Sequence, residues 1–204
     1  MTSVLGHWER RADDLARRAE PLTGVAGWLR ADVAVGRGLV LAECIRLGRP
    51  TVLDIGCGPG TVLEGLLRSG AAGSACGVDL SPRMMMAARA RLAGLPVELH
   101  VANFAAPSFR PPPSDLVYAL GVLDYVPSPV PFLEKARAVC RRTLVFDAPD
   151  ASVWTALRRL RHRDVRIHSY RREALAALCR SAGLKRFELV RARGTTFVVS
   201  RLEP

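Results

Sequence analysis

At 204 residues, with 49% of them hydrophobic, the chain is sized for one domain with a substantial core, which excludes large-scale disorder. Lys and Arg number 30 against 19 Asp and Glu, a formal charge of +11 that admits nucleic acid, an anionic membrane surface or an acidic substrate as partners. Only Lys135 and Lys185 among those cations are lysines, so GC-rich coding with its Arg, Ala, Gly and Pro bias is a second source of the same excess.

The first element read along the chain is a helix. Trp8, Ala12, Leu15, Ala19 and Leu22 recur at spacings of four and three, which predicts one apolar stripe turned to the body of the domain. Short β-rich apolar runs then alternate with longer helical patterns, with strands predicted at 51–54, 75–79, 97–102, 116–120, 143–146, 186–190 and 195–200. That alternation predicts βαβ units around a parallel sheet, hence an α/β fold. The last two strands flank residues 191–194, a connection too short for a crossover helix, so they are expected to pair antiparallel as a C-terminal hairpin. Between the third and fourth strands, Arg110-Pro111-Pro112-Pro113 reads as a stiff surface turn, and the basic stretch 158–166 reads as a helix end and loop. The cysteines at 44, 57, 76, 140 and 179 form no CxxC pair, which argues against a disulfide framework or a cysteine-based zinc site. No run approaches the roughly 18 uncharged apolar residues of a membrane span, and the expected location is the cytoplasm.

The chemistry concentrates after the first strand. Asp54 closes it, Gly56, Gly58 and Gly60 follow at alternate positions, and Thr61-Val62-Leu63-Glu64 opens a helix. Glycines serve where the chain must bend with positive φ and let backbone approach a ligand. A dinucleotide loop wants G-x-G-x-x-G, but the sixth position counted from Gly56 is Thr61; no Gly-Lys-Ser/Thr follows either, so the P-loop is excluded. About 20 residues on, Gly77-Val78-Asp79 closes the second strand with a carboxylate placed to accept ribose hydroxyls. Ser81 and Pro82 then read as the N-cap and first position of a helix, with Met84, Met85 and Met86 mainly core filler.

Asp54-Ile55-Gly56-Cys57-Gly58-Pro59-Gly60 and the acid at Asp79 resemble the first two motifs of the class I S-adenosylmethionine-dependent methyltransferases. The resemblance covers roughly residues 50 to 200 and implies a Rossmann-like, doubly wound, seven-stranded, mostly parallel sheet with a C-terminal antiparallel hairpin. It implies S-adenosylmethionine as cofactor, with Asp54, Gly56, Cys57, Gly58 and Gly60 beside its methionine end and Asp79 on the ribose. Leu80, Asn103, Phe104 and Leu120 complete the expected cofactor set. Asn103 departs from the family, which usually has Asp there; the amide keeps an acceptor and adds a donor for the adenine edge. Phe104 fits adenine stacking or the core. Residues 1–50 are expected to form a helical region packing on or capping the cofactor site, with 51–204 as the methyltransferase domain.

Methyl transfer from a sulfonium needs the acceptor held in line, and a base only where the acceptor is a hydroxyl. Asp124, after strand four, and His168 and Tyr170, before the final helix, are the candidates to orient or deprotonate it. His7, His100 and His162 are scattered and no metal is expected. After strand four the chain has Leu120-Gly121-Val122-Leu123 in place of the Pro-Pro tetrad of enzymes that methylate base amines, and it lacks a Pro-Cys nucleophile for cytosine C5 chemistry. The leading expectation is a small-molecule acceptor methylated on oxygen. The alternatives are an RNA or protein methyltransferase using the basic surface, and a non-catalytic cofactor-binding partner protein.

Overall fold

The computed structural model describes residues 3–17, 31–161 and 163–202. In chain order these form α1 (Val4–Arg17), α2 (Ala31–Leu47), β1 (Thr51–Ile55), α3 (Thr61–Arg68), β2 (Ser74–Asp79), α4 (Pro82–Arg91), β3 (Val97–Val101), β4 (Ser114–Ala119), a 3-10 turn (Leu123–Tyr125), α5 (Pro129–Ala138), β5 (Cys140–Pro149), α6 (Val153–Arg161), α7 (Arg172–Ser181), β6 (Glu188–Ala192) and β7 (Thr195–Arg201).

The seven strands make one sheet in the order β3-β2-β1-β4-β5-β7-β6. All neighbours are parallel except β7, which runs antiparallel to both β5 and β6. Strands buried on both faces read as continuous apolar runs, and Val52, Leu53, Leu116, Val117, Leu144 and Val145 alternate between two cores. One face packs α2, α3 and α4 through Val40, Leu63, Leu66 and Met85. The other packs α5 and α7 through Leu133, Leu175 and Phe132. The chain leaves β1 toward β2 and β3 on one side and returns through β4 and β5 on the other. That reversal opens a crevice at the carboxyl ends of β1 and β4, the place where open α/β sheets hold ligands.

Several expectations shift in detail. β5 runs ten residues, well beyond 143–146, because it pairs with β4 on one edge and β7 on the other. The hairpin turn is Arg193-Gly194 alone, with φ of 43° and 76°, while Arg191 and Ala192 pair with Thr196 and Thr195; two positive φ values suit the right-handed twist of the flanking strands. Basic residues do end α6 and enter the loop beyond it. In α1, Ala12 is buried and Trp8 half-buried; the Leu15 side chain, Ala19 and Leu22 lie outside what is described. Among the described residues, no helix is long and apolar enough to cross a membrane.

Candidate functional site

The glycine loop is held by its neighbours. Gly56 and Cys57 donate their N–H groups to Val78 O at 2.8 and 3.1 Å, tying the loop to the end of β2. Gly56, Gly58 and Gly60 all have positive φ. At Gly56 an added Cβ would stand 2.4 Å from Val122 Cγ2, so the loop slips beneath the segment after β4 only because no side chain is there. At Gly58 an added Cβ would meet nothing within 4 Å, so the loop's backbone lines open space. Gly60 caps α3 in the left-handed region.

Two acids frame that space. Asp79 accepts from Gly58 N–H at 2.9 Å through one oxygen and from Ser81 N–H at 2.8 Å through the other. Burial raises its carboxyl above the usual range, against the pull of those backbone donors, and the charge of Glu9 adds to the rise. Asp54, 3% exposed, is pushed up to about 8, first by burial and also by the charge of Asp79, with the Tyr118 hydroxyl opposing. Acids whose ionisation is held back by burial and by neighbouring carboxylates make a site that favours a cationic ligand.

The remaining expected cofactor positions divide. Leu80 is 37% exposed directly after Asp79, an apolar wall. Asn103 Oδ1 accepts from Ala105 N–H at 3.0 Å, which closes an Asx turn and leaves the NH2 as the outward donor. Phe104 has the geometry of the core: it is buried, edge-on to Phe132 at 5.1 Å, with Lys135 Nζ over its ring. A ring so committed is not offered to a nucleobase. Leu120 lies against α2 at Gly36, and Cys57 is buried with its thiol 3.6 Å from Met85 Sδ, its pKa far above the ordinary value. Met84 and Met85 are core, whereas Met86 is 68% exposed.

Beyond the carboxyl end of β4, residues far apart in sequence converge. The His168 N–H donates to Asp124 O at 2.8 Å, and the Asp124 carboxylate, 1% exposed, acts on both the His168 ring and the Tyr170 hydroxyl. Burial lowers the His168 pKa, and the guanidinium groups of Arg166 and Arg159 lower it further. Tyr170 is raised, by burial first and then by Asp124.

Helix α1 reaches both the start of α4 and the segment around Asp164. Glu9 accepts from Ser81 Oγ and from Arg83 N–H at 3.2 Å, at the start of α4. Ser81 Oγ in turn accepts from Met84 N–H at 3.1 Å as the helix N-cap. Within the same helical turn, His7 Nδ1 donates to both oxygens of Asp164 at 2.8 and 2.9 Å, and Arg10 donates to the same carboxylate at 2.6 Å. The His7 hydrogen bond is the main reason that the Asp164 pKa falls to about 2. Trp8 and Val4 cover a small cluster of Tyr125, Val165 and Ile167, with Trp8 edge-on to Tyr125 at 5.4 Å. Helical spacing showed an apolar stripe here, but polar pairs at a separation of 72 to 157 residues leave no periodic trace.

Residues 52–144 match the family model described as a methyltransferase domain. Among curated proteins, the chain is 41% identical over 76 residues to trans-aconitate 2-methyltransferase of Methylobacterium nodulans, covering 37% of this chain and 28% of that one. It is 37% identical over 81 residues to ubiquinone biosynthesis O-methyltransferase of Azoarcus sp., covering 38% and 34%. The chain thus spans about a third of the length of the curated relatives it matches. Among solved structures, magnesium protoporphyrin IX methyltransferase from Synechocystis with bound SAH has a TM-score of 0.72 at 18% identity, covering 98% of each chain. The DhpI–SAH complex gives 0.72 at 18%, covering 98% and 95%. At those identities the likeness is one of fold.

Proposed function

We propose that this chain, which carries a class I methyltransferase domain, is an S-adenosylmethionine-dependent enzyme that methylates an oxygen of a small-molecule acceptor. The observation that carries the reading is the open cradle at Gly58, whose N–H bonds to the half-buried Asp79 and which follows the buried Asp54 at the point where strand order reverses. S-adenosylmethionine, when bound, supplies a methyl on a cationic sulfonium together with an ammonium group. Asp54 and Asp79 match those charges. Asp79 keeps lone pairs for ribose hydroxyls beyond its two backbone donors, and the Gly58 backbone admits the ligand without a Cβ.

His168, Asp124 and Tyr170 supply the acceptor end. The bound cofactor would supply the methyl as an electrophile, and these residues would hold the acceptor oxygen in line with it. Where the acceptor is a hydroxyl, its proton passes to His168, whose lowered pKa keeps the imidazole neutral and able to accept at neutral pH. Asp124 then faces the resulting imidazolium as a counter-charge. On the same reading α1 caps the cleft, with Glu9 closing its ribose side and Trp8 and His7 its acceptor side. The five buried free cysteines fit a reducing compartment, the cytoplasm.

Calorimetry tests the cofactor half directly. Wild type should bind S-adenosylmethionine, and Asp79→Ala should weaken it at least about tenfold through the lost charge-assisted hydrogen bonds. Absence of binding by folded wild type would remove the assignment.

A further inference from the structure

The acceptor end of the cleft carries a second feature, its positive charge. From Val165 burial alternates along a short row of residues with no regular secondary structure up to the bridge at Tyr170. Val165 and Ile167 are buried against Tyr125, with Val4 and Trp8 of α1 on the same cluster. Arg166 and His168 alternate with them in this row, Arg166 exposed and His168 half-buried. The hydrogen bond from His168 N–H to Asp124 O fixes the row at the carboxyl end of β4.

Arg159 reaches the same place from α6. Its guanidinium donates to Ile167 O at 3.2 and 3.3 Å and to Ser169 Oγ at 2.9 Å, which ties the head group to the two residues flanking His168. Among the described residues neither Arg159 nor Arg166 is ion-paired to a carboxylate. Asp164, the acid closest in sequence, is taken by His7 and Arg10. Both guanidinium charges are felt at the His168 ring, as is the buried Asp124. Two cations thus stand beside His168, one of them fixed in orientation by its hydrogen bonds before any ligand arrives. A planar guanidinium pre-set by other hydrogen bonds is suited to a carboxylate or phosphate oxygen pair.

We infer that the acceptor is an anionic small molecule, and that Arg159 and Arg166 receive its carboxylate or phosphate group while the oxygen to be methylated lies toward His168 and Asp124. Arg166 is the specificity-determining residue, since Arg159 already spends donors on the backbone. The anion-binding group is distinct from the reacting oxygen: it sits on the arginine side of His168, and the buried Asp124 carboxylate disfavours it on the other. Neutral acceptors of the same shape leave two facing cations uncompensated and bind less well.

The inference rests on the methyltransferase reading for its meaning but not for its test. His168 imidazole resonances, assigned with a His168→Gln spectrum, are titrated with citrate and with inorganic phosphate, in the presence and absence of S-adenosylhomocysteine. A saturable shift that raises the His168 pKa, with affinity about tenfold lower in Arg166→Gln and S-adenosylhomocysteine affinity unchanged, is the expected result; the tighter of the two probes names the anion. If neither probe saturates, or if the Arg166→Gln variant responds like wild type, the inference is overturned while the cofactor reading stands. If S-adenosylhomocysteine fails to bind but the anions do, the cofactor reading falls and the anion site remains.

Discussion

Asp54→Asn should make the ligand-free protein more stable and its cofactor binding weaker. Asp54 is 3% exposed and its carboxyl is raised to about 8 from the ordinary 3.8, chiefly by burial. An acid whose folded pKa exceeds its unfolded value binds more protons in the folded state, so its contribution to stability is lost as pH rises from near 4 toward 8. The slope is about 1.4 kcal/mol per pH unit, so by pH 7 the single carboxylate costs up to about 4 kcal/mol. Asn keeps the shape and a carbonyl acceptor toward Tyr118 but cannot ionise. At pH 7 the variant should therefore exceed wild type by about 2–4 kcal/mol, a Tm higher by at least about 4 °C for a chain of this size. The advantage should shrink steadily as pH falls to 4. Thermal melts without cofactor at pH 4, 5.5 and 7 measure the gap, and calorimetry at pH 7 should show S-adenosylmethionine bound at least about tenfold more weakly, because the carboxyl that a bound cation would drive to ionise is gone. A Tm difference that does not change with pH would refute the reasoning, since Asp54 would then ionise alike in folded and unfolded chains.

Gly56→Ala adds a methyl 2.4 Å from Val122 Cγ2 at a φ of 78°; a loss of about 2–4 kcal/mol in chemical denaturation is expected from strain and overpacking together, and Val122→Ala in the same chain should restore the steric part. The rate of methyl transfer, as kcat/KM, should rise with pH and level off below the usual imidazole range, because the His168 pKa is lowered by burial and two arginines; an acid limb that persists in His168→Gln would remove that residue from the step. Glu9→Gln leaves α1's apolar contacts intact but weakens the charge-assisted bonds to Ser81 and Arg83, so hydrogen exchange in 4–17 should quicken and S-adenosylmethionine affinity fall about three- to tenfold; unchanged exchange would show that the latch contributes nothing.

The parts of this molecule legible in its sequence are those with local causes. β1 and its loop announce themselves because a doubly buried strand needs an uninterrupted apolar run and a loop passing under Val122 needs glycine at 56. Asp54 and Asp79 stand out because nothing apolar would tolerate their places unless charge had a use there. The hairpin was visible but its turn was drawn two residues too wide: Arg191 and Ala192 carry no turn chemistry, and Arg193 accepts a positive φ that its side chain does not advertise. Phe104 could not be assigned from local pattern, since a ring after a strand packs inward or outward according to what lies beneath, here Phe132. His168 and Tyr170 draw attention in the sequence by their position before α7, while the reach of Arg159 to Ile167 and Ser169 depends on how a helix end and a loop meet.

The first 50 residues were the least legible stretch, and α1 shows why. Residues 7 to 10 occupy about one helical turn of 3.6 residues, yet Glu9 bonds to the N-cap of α4 beside Asp79, whereas His7 and Arg10 bond to Asp164 beside the Tyr125 cluster. A helix turn is stiff, so these two sets of contacts cannot move independently. Any displacement of Glu9 from Ser81 tilts Trp8 and His7 against the wall that holds Val165 and Ile167, and with it the row carrying Arg166 and His168. Order at the cofactor's ribose side and order at the acceptor's arginine side are on this geometry one variable. Cofactor binding that fixes the loop between Gly58 and Asp79 therefore also favours the acceptor-receiving arrangement, and by linkage an anionic acceptor should tighten the cofactor by the same factor.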